Sequence, residues 1–194
     1  LFNALTGSGV YADDRLFATL DPTVRRVDGV APLVLSDTVG FVRDLPHELV
    51  AAFRSTLAEA READLLLHVI DAADELRDER IGQVDKVLEE IGAGDIPQVL
   101  VFNKCDCLPE HQQPLHQRDV YELPSGRHCH RVFVSALQGK GLDVLRDILA
   151  DAALHGLQGG LEAGAQRDPR FDMHNAPHEP VSDGTPPEFP TDRS

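Results

Sequence analysis

Apolar positions along the chain alternate between two spacings. Near-continuous apolar runs, "APLVLSD" (31–37), "ADLLLHVID" (63–71), "IPQVLVFN" (96–103) and "RVFVSA" (131–136), have the make-up of strands covered on both faces. "TVRRVD" (23–28) is weaker and reads as an edge strand. Between the runs the period lengthens to that of a helix. Leu49, Phe53, Leu57 and Ala60 keep one face apolar after Pro46; Ile81, Val84, Leu88 and Ile91 do so after Asp78, with Gly92 as the stop. Leu142, Leu145 and Leu149 predict a last helix over 142–153. At the start, Leu1, Phe2 and Leu5, followed by Thr6 and Gly7, read as the closing turns of an amphipathic helix. Strands that alternate with helices predict an α/β fold built on a doubly wound, mostly parallel sheet.

Composition changes this picture at one end. Residues 1–153 carry the periodic pattern, whereas 154–194 are rich in Pro, Gly and acidic residues without a sustained period, and the expectation for them is a disordered tail. The formal charge of -15 argues against nonspecific nucleic-acid binding, which needs Lys and Arg to replace condensed counterions. No apolar run reaches the roughly 20 residues of a membrane span, and no secretory leader is apparent, so the expectation is a cytoplasmic monomer. The three cysteines fit reduced thiols rather than a disulfide framework. "CDC" (105–107) and "HCH" (128–130) could in principle converge on zinc, but the first spacing is tighter than the usual two-residue gap.

Candidate chemistry gathers where strands end. The run 31–37 delivers "SDTVG", a DxxG at Asp37 and Gly40; the run 96–103 delivers "NKCD", an NKxD at Asn103, Lys104 and Asp106; the last run delivers Ser135 and Ala136. In an open α/β sheet, ligands bind outside the carboxyl ends of the strands, so these motifs share one rim. A strand-end carboxylate can hold hydrated Mg2+, which assigns Asp37 to the metal, and the Gly40 N–H can approach a terminal phosphate because no side chain stands in the way. The Asp106 carboxylate can accept paired hydrogen bonds from the N1–H and 2-amine of guanine. Adenine has neither donor there and would leave the carboxylate unpaired. Asn103 suits the base edge and a tie between loops, the Lys104 stem suits the purine face, and Ser135 with the Ala136 N–H completes the pocket. GTP and GDP are therefore the expected ligands. Such a site also needs a GxxxxGK[ST] loop to cradle phosphates, and none occurs in the 194 residues. The reading is that "LFNALTG" continues the helix behind that loop, and that the loop and the central strand before it are missing from this chain.

"VYADDRLFATLDPTVRRV" (10–27), "SDTVGFVRDLPHELVAAFRSTLAEAREADLLLHVIDAAD" (36–74) and "NKCD" closely resemble the GTPase domain of the HflX-type GTPases, in the Obg-HflX group. The resemblance spans about residues 1–153 and implies a Ras-like P-loop GTPase fold and GTP hydrolysis. It matches Thr19 to the switch I threonine that coordinates Mg2+, and residues 37–40 to the start of switch II. It implies a large ribosomal subunit partner, ribosome splitting or rescue under stress, and a further domain upstream. Phe41 stands where Ras-like enzymes place a water-orienting Gln, which implies slow intrinsic turnover that rises on partner binding. His47 and His68 receive no catalytic role. Loss of a central strand leaves unpaired backbone groups at about 1–3 kcal/mol each against a total stability of about 5–15 kcal/mol, so the 194 residues alone are expected to be unstable and inactive. The alternative is a P-loop-less remnant that serves as a non-catalytic protein-binding module.

Overall fold

The computed structural model describes residues 1–7, 23–27, 29, 33–37, 60–156, 168 and 171. In chain order these form α1 (Phe2–Thr6), β1 (Thr23–Arg26), β2 (Val34–Asp37), β3 (Leu66–Asp71), α2 (Arg77–Glu90), β4 (Gln98–Asn103), two 3-10 turns (Cys105–Cys107 and Glu110–Gln112), β5 (Arg118–Glu122), β6 (His128–Phe133) and α3 (Leu142–His155). The helix expected after Pro46 lies outside the described residues apart from its end at Ala60.

Two sheets result. β1 and β2 pair antiparallel, with Thr23 opposite Asp37. The larger sheet has the order β3-β4-β6-β5, with β3, β4 and β6 parallel and β5 antiparallel to β6. No ladder joins β2 to β3 among the described residues.

β4 explains the layering. Val99, Leu100, Val101 and Phe102 are each fully buried, so both faces of this strand must be covered. Leu100 and Phe102 point into a cluster with Ile70, Tyr121, Phe133 and, from α2, Ile81. Val99 and Val101 point to the opposite cluster, where Val132 and Val134 meet Leu142, Leu145, Ile148 and Leu149 of α3 and Leu5 of α1. This is the doubly wound arrangement that the alternating pattern predicts. α2 starts with Asp78 and Glu79 in its first turn, favourable against the positive end of the helix dipole. It stops at Gly92, whose left-handed backbone (φ 75°) lets the Ala93 N–H reach the Leu88 carbonyl at 2.8 Å.

Four elements differ from the sequence reading. β6 spans His128–Phe133 rather than 131–136, because Cys129 and Arg131 join Phe133 on the inward side although the first residues of the strand are polar. β5 was not foreseen. Its three central residues are all buried, but one is Asp119, which lies opposite Arg131 in the ladder and pairs with it. The third difference is in the segment expected to be disordered, where Asp168 and Phe171 are buried. Phe171 adds an aromatic ring to the α2-side core, with its centroid 4.8 Å from that of Phe133. α3 also extends to His155, two residues past the expected end.

His68 sits in β3 on the α2 side with its Nδ1 buried and without a hydrogen-bond partner. Burial pushes its pKa down to about 4, against an opposing pull from Asp85. The proton that the fold refuses to His68 is bound first by the unfolded chain, so stability falls as pH drops from about 6.5 towards 4 and is level above. At about 1.4 kcal/mol per pKa unit, the contribution is about 3–4 kcal/mol. Urea denaturation between pH 4 and 8 checks this, the expected outcome being a shallower acid slope for His68→Gln than for the unaltered chain.

Candidate functional site

Three parallel strands end on one rim, and the register fixes what stands there. Asp71, the last residue of β3, lies opposite Asn103, the last of β4, while Phe102 lies opposite Phe133 of β6, two residues before Ser135. Past Asn103 the chain turns sharply at Lys104, whose left-handed backbone (φ 65°) is the single positive φ outside glycine among the described residues. A side-chain-bearing residue pays about 1–2 kcal/mol for that conformation. Three contacts hold it: the Cys105 N–H donates to the Val134 carbonyl at 3.1 Å, the Cys107 N–H to the Lys104 carbonyl at 2.9 Å, and the Lys104 Nζ to Asp71 Oδ2 at 2.8 Å. The turn carries Asp106 across to the β6 loop.

There the Ser135 hydroxyl, fully buried, donates to Asp106 Oδ1. That bond is the largest reason the Asp106 carboxyl is held below its ordinary pKa. The same hydroxyl accepts the Gln138 N–H at 3.1 Å, so its orientation is set from both sides. Asn103 Oδ1 accepts the Ala136 N–H at 3.0 Å, which joins the loop after β4 to the loop after β6. In this arrangement the Ala136 N–H is engaged with Asn103 rather than open towards a ligand. Gln113 braces the rear, with Nε2 donating to the carbonyls of Cys105 and Leu108 at 2.8 Å each.

The structure thus brings together Asn103, Lys104, Asp106, Ser135 and Ala136. Asp37 ends β2 in the other sheet, where partial desolvation raises its carboxyl pKa. Thr19, Gly40 and Phe41, like His47, lie outside the described residues. Asp71 and Gln113 were missed. Asp71 was visible as the acidic end of "LLHVID"; nothing in the sequence marks Gln113. Cys105 and Cys129 are packed in the α2-side core, where burial pushes their thiols up to about 11 and about 12; Cys107 is exposed. Among the described residues no group of three or more His, Cys, Asp or Glu is placed to hold a metal ion.

The β6 loop returns to α3 through Gly141. Its backbone (φ 73°) comes so near β6 that an added Cβ would stand 2.3 Å from the Phe133 carbonyl oxygen. Paired hydrogen bonds between Ser135 and Lys140 close the loop just above. Only glycine satisfies both the dihedral and the space, so Gly141 fixes how Ser135 is presented.

The model of the 50S ribosome-binding GTPase family matches residues 1–104. The chain is 53% identical over 153 residues to the GTPase HflX of Escherichia coli (strain K12), covering 78% of this chain and 34% of that protein. It is 46% identical over 153 residues to the GTPase HflX of Caldanaerobacter subterraneus subsp. tengcongensis, covering 77% of this chain and 32% of that one. The chain therefore spans about a third of the length of these curated relatives. Among solved structures, a GTP-binding protein from the archaeon Sulfolobus solfataricus in complex with GDP superposes with a TM-score of 0.54 at 26% identity, covering 79% of this chain and 47% of that one. The SsGBP and GDP complex gives 0.55 at 27%, covering 81% and 46%.

Replacing Gly141 by Ala is expected to cost roughly 2–4 kcal/mol, the sum of a left-handed side-chain-bearing residue and a backbone clash. Chemical denaturation of Gly141→Ala measures it; a change under about 0.5 kcal/mol, the range of ordinary surface substitutions, would mean that the close approach to Phe133 does not constrain the loop.

Proposed function

The chain belongs to the family of 50S ribosome-binding GTPases, in its HflX branch, and from that premise we propose that it carries the guanine-reading half of a site that binds GTP and GDP and serves GTP hydrolysis on the large ribosomal subunit. The observation that carries the reading is the Asp106 carboxylate, oriented by Ser135 and kept ionised at the mouth of the rim. An acceptor-only group fixed in this way suits the paired donors of guanine and disfavours adenine. Asn103 reads the base edge from a side chain already braced on Ala136, and Lys104 lays its stem along the purine while its ammonium rests on Asp71. These groups are ordered before any ligand arrives, so little of the binding energy goes into arranging them.

The phosphate end rests on the family resemblance and the sequence. Asp37 presents a carboxylate at the end of β2, an oxygen donor of the type that hydrated Mg2+ takes, and with Thr19 it is assigned to hold that ion. Bound there, Mg2+ would supply charge neutralisation at the phosphates. The Gly40 N–H is assigned to the γ-phosphate. No GxxxxGK[ST] occurs in the 194 residues, and the grip on the phosphates is assigned to residues outside them. Phe41 has no group to orient water, so turnover waits on one supplied by a partner, in this reading the large ribosomal subunit; splitting or rescue of stalled ribosomes is the corresponding output.

Two measurements test the proposal. In calorimetric titrations GDP binds and ATP does not, and Asp106→Asn exchanges preference from guanine to xanthine nucleotides, because a carboxamide can offer a donor to the 2-oxo group where a carboxylate met the 2-amine. Equal affinity for GDP and ATP would sink the assignment of Asp106. For the complete protein carrying these residues, single-turnover GTP hydrolysis is expected to rise about a hundredfold or more with large ribosomal subunits, the order that one positioned catalytic group provides; equal rates with and without them would remove the partner from the mechanism.

A further inference from the structure

Asp106 stands at the centre of the 3-10 turn Cys105–Cys107. Inside it the Cys107 N–H donates to the Lys104 carbonyl at 2.9 Å and the Leu108 N–H to the Cys105 carbonyl at 3.2 Å. A single turn of this kind is weak by itself, because its bonds are few and poorly aligned. Its two ends are anchored in the fold. Cys105 is buried and its thiol donates to the Phe102 carbonyl at 3.3 Å, while Leu108 packs into the α2-side core.

Gln113 joins those two ends. Its carboxamide nitrogen carries two N–H donors, and they meet two acceptors, the Cys105 and Leu108 carbonyls, at 2.8 Å each. The acceptors flank Asp106, one residue before it and two after, so one –NH2 group sets the separation between the ends of the turn that carries the carboxylate. The backbone presents this side chain firmly. The Gln112 N–H donates to the Pro109 carbonyl at 2.9 Å and the Gln113 N–H to the Glu110 carbonyl at 3.2 Å, which forms the second 3-10 turn. Pro114 follows and disfavours helical dihedrals in the residue before it, in keeping with φ -61° and ψ 138° at Gln113.

The carboxylate itself is held at one oxygen. Ser135 donates to Asp106 Oδ1, whereas Oδ2 has only a weak thiol donor, Cys107 Sγ, at 3.8 Å. A single bond fixes where Oδ1 lies and leaves rotation about the contact. Two parallel hydrogen bonds from guanine need both oxygens in the plane of the base, and that plane follows from the backbone of the turn. We infer that Gln113 is a positioning residue for base selectivity: it clamps the two carbonyls that flank Asp106, sets the plane of that carboxylate, and thereby favours purines that carry a 2-amine over those that lack one. This role rests on the reading of Asp106 as the acceptor for guanine. Gln113 acts through the turn and touches no ligand.

The complete protein carrying these residues is titrated with GDP and IDP, whose bases differ in the 2-amine alone. The unaltered protein is expected to prefer GDP at least about tenfold, the effect of one hydrogen bond to a charged group. Gln113→Glu sets an acceptor against two acceptors and is expected to cut that preference at least about fivefold, since a tilted hydrogen bond weakens steeply. Gln113→Met removes both donors without adding charge; it is expected to act in the same direction and serves where Gln113→Glu does not fold. Loss of folded protein or a weaker hold on the phosphates lowers both affinities together and leaves their ratio unchanged, so the ratio separates positioning from stability. Gln112→Glu places the same charge on an exposed neighbour and is expected to keep the preference. A preference in the folded Gln113 variants equal to that of the unaltered protein overturns the role of Gln113 and leaves Asp106 as the reader; an equal fall with Gln112→Glu assigns the effect to charge and also overturns it. No preference in the unaltered protein overturns the reading of Asp106, and the role of Gln113 with it.

Discussion

A strand covered on both faces cannot slip, and β4 has two faces that are not interchangeable. Leu100 and Phe102 enter a recess of aromatic rings, whereas Val99 and Val101 meet the leucines and isoleucine of α3. Moving the strand by one residue would drive a phenyl ring into the α3 interface and leave a valine in the aromatic recess, with overpacking on one side and a cavity on the other. The position at which Asn103 leaves the sheet follows from that constraint. So does the rest of the rim, because β3 and β6 take their registers from β4.

The candidate site is built from backbone turns that bring polar side chains onto one another. Lys104 accepts a left-handed conformation, Gly141 accepts close approach to β6, and the two loops they shape are joined by Asn103–Ala136 and Asp106–Ser135. Each loop thus limits the freedom of the other. The bond from Ser135 also has an electrostatic effect, since it favours the charged form of Asp106.

Periodicity disclosed what periodicity can express. The parallel strands, the two long helices and the double winding follow from apolar spacing, and "NKCD" follows from type and spacing at a strand end. β5 and the burial of Asp168 and Phe171 stayed hidden for one physical reason. Asp119, Arg131 and Asp168 are charged residues that the fold buries, and reading a sequence treats charge as a sign of solvent. Their burial depends on each other across separations of 12 to 49 residues, and nothing in the local pattern announces such a partner. Phe171 is similar: one ring in a Pro- and Gly-rich stretch has no period, and its value comes from the recess that receives it.

The distribution of the three thiols has a practical side. Cys105 and Cys129 are buried and hold their protons, while Cys107 is exposed one residue beyond Asp106. Alkylating reagents act on accessible thiolates, so a chain with all its natural cysteines would take a single spectroscopic label beside the Asp106 carboxylate. The molecule offers its own attachment point for watching that loop in solution, without a residue being changed.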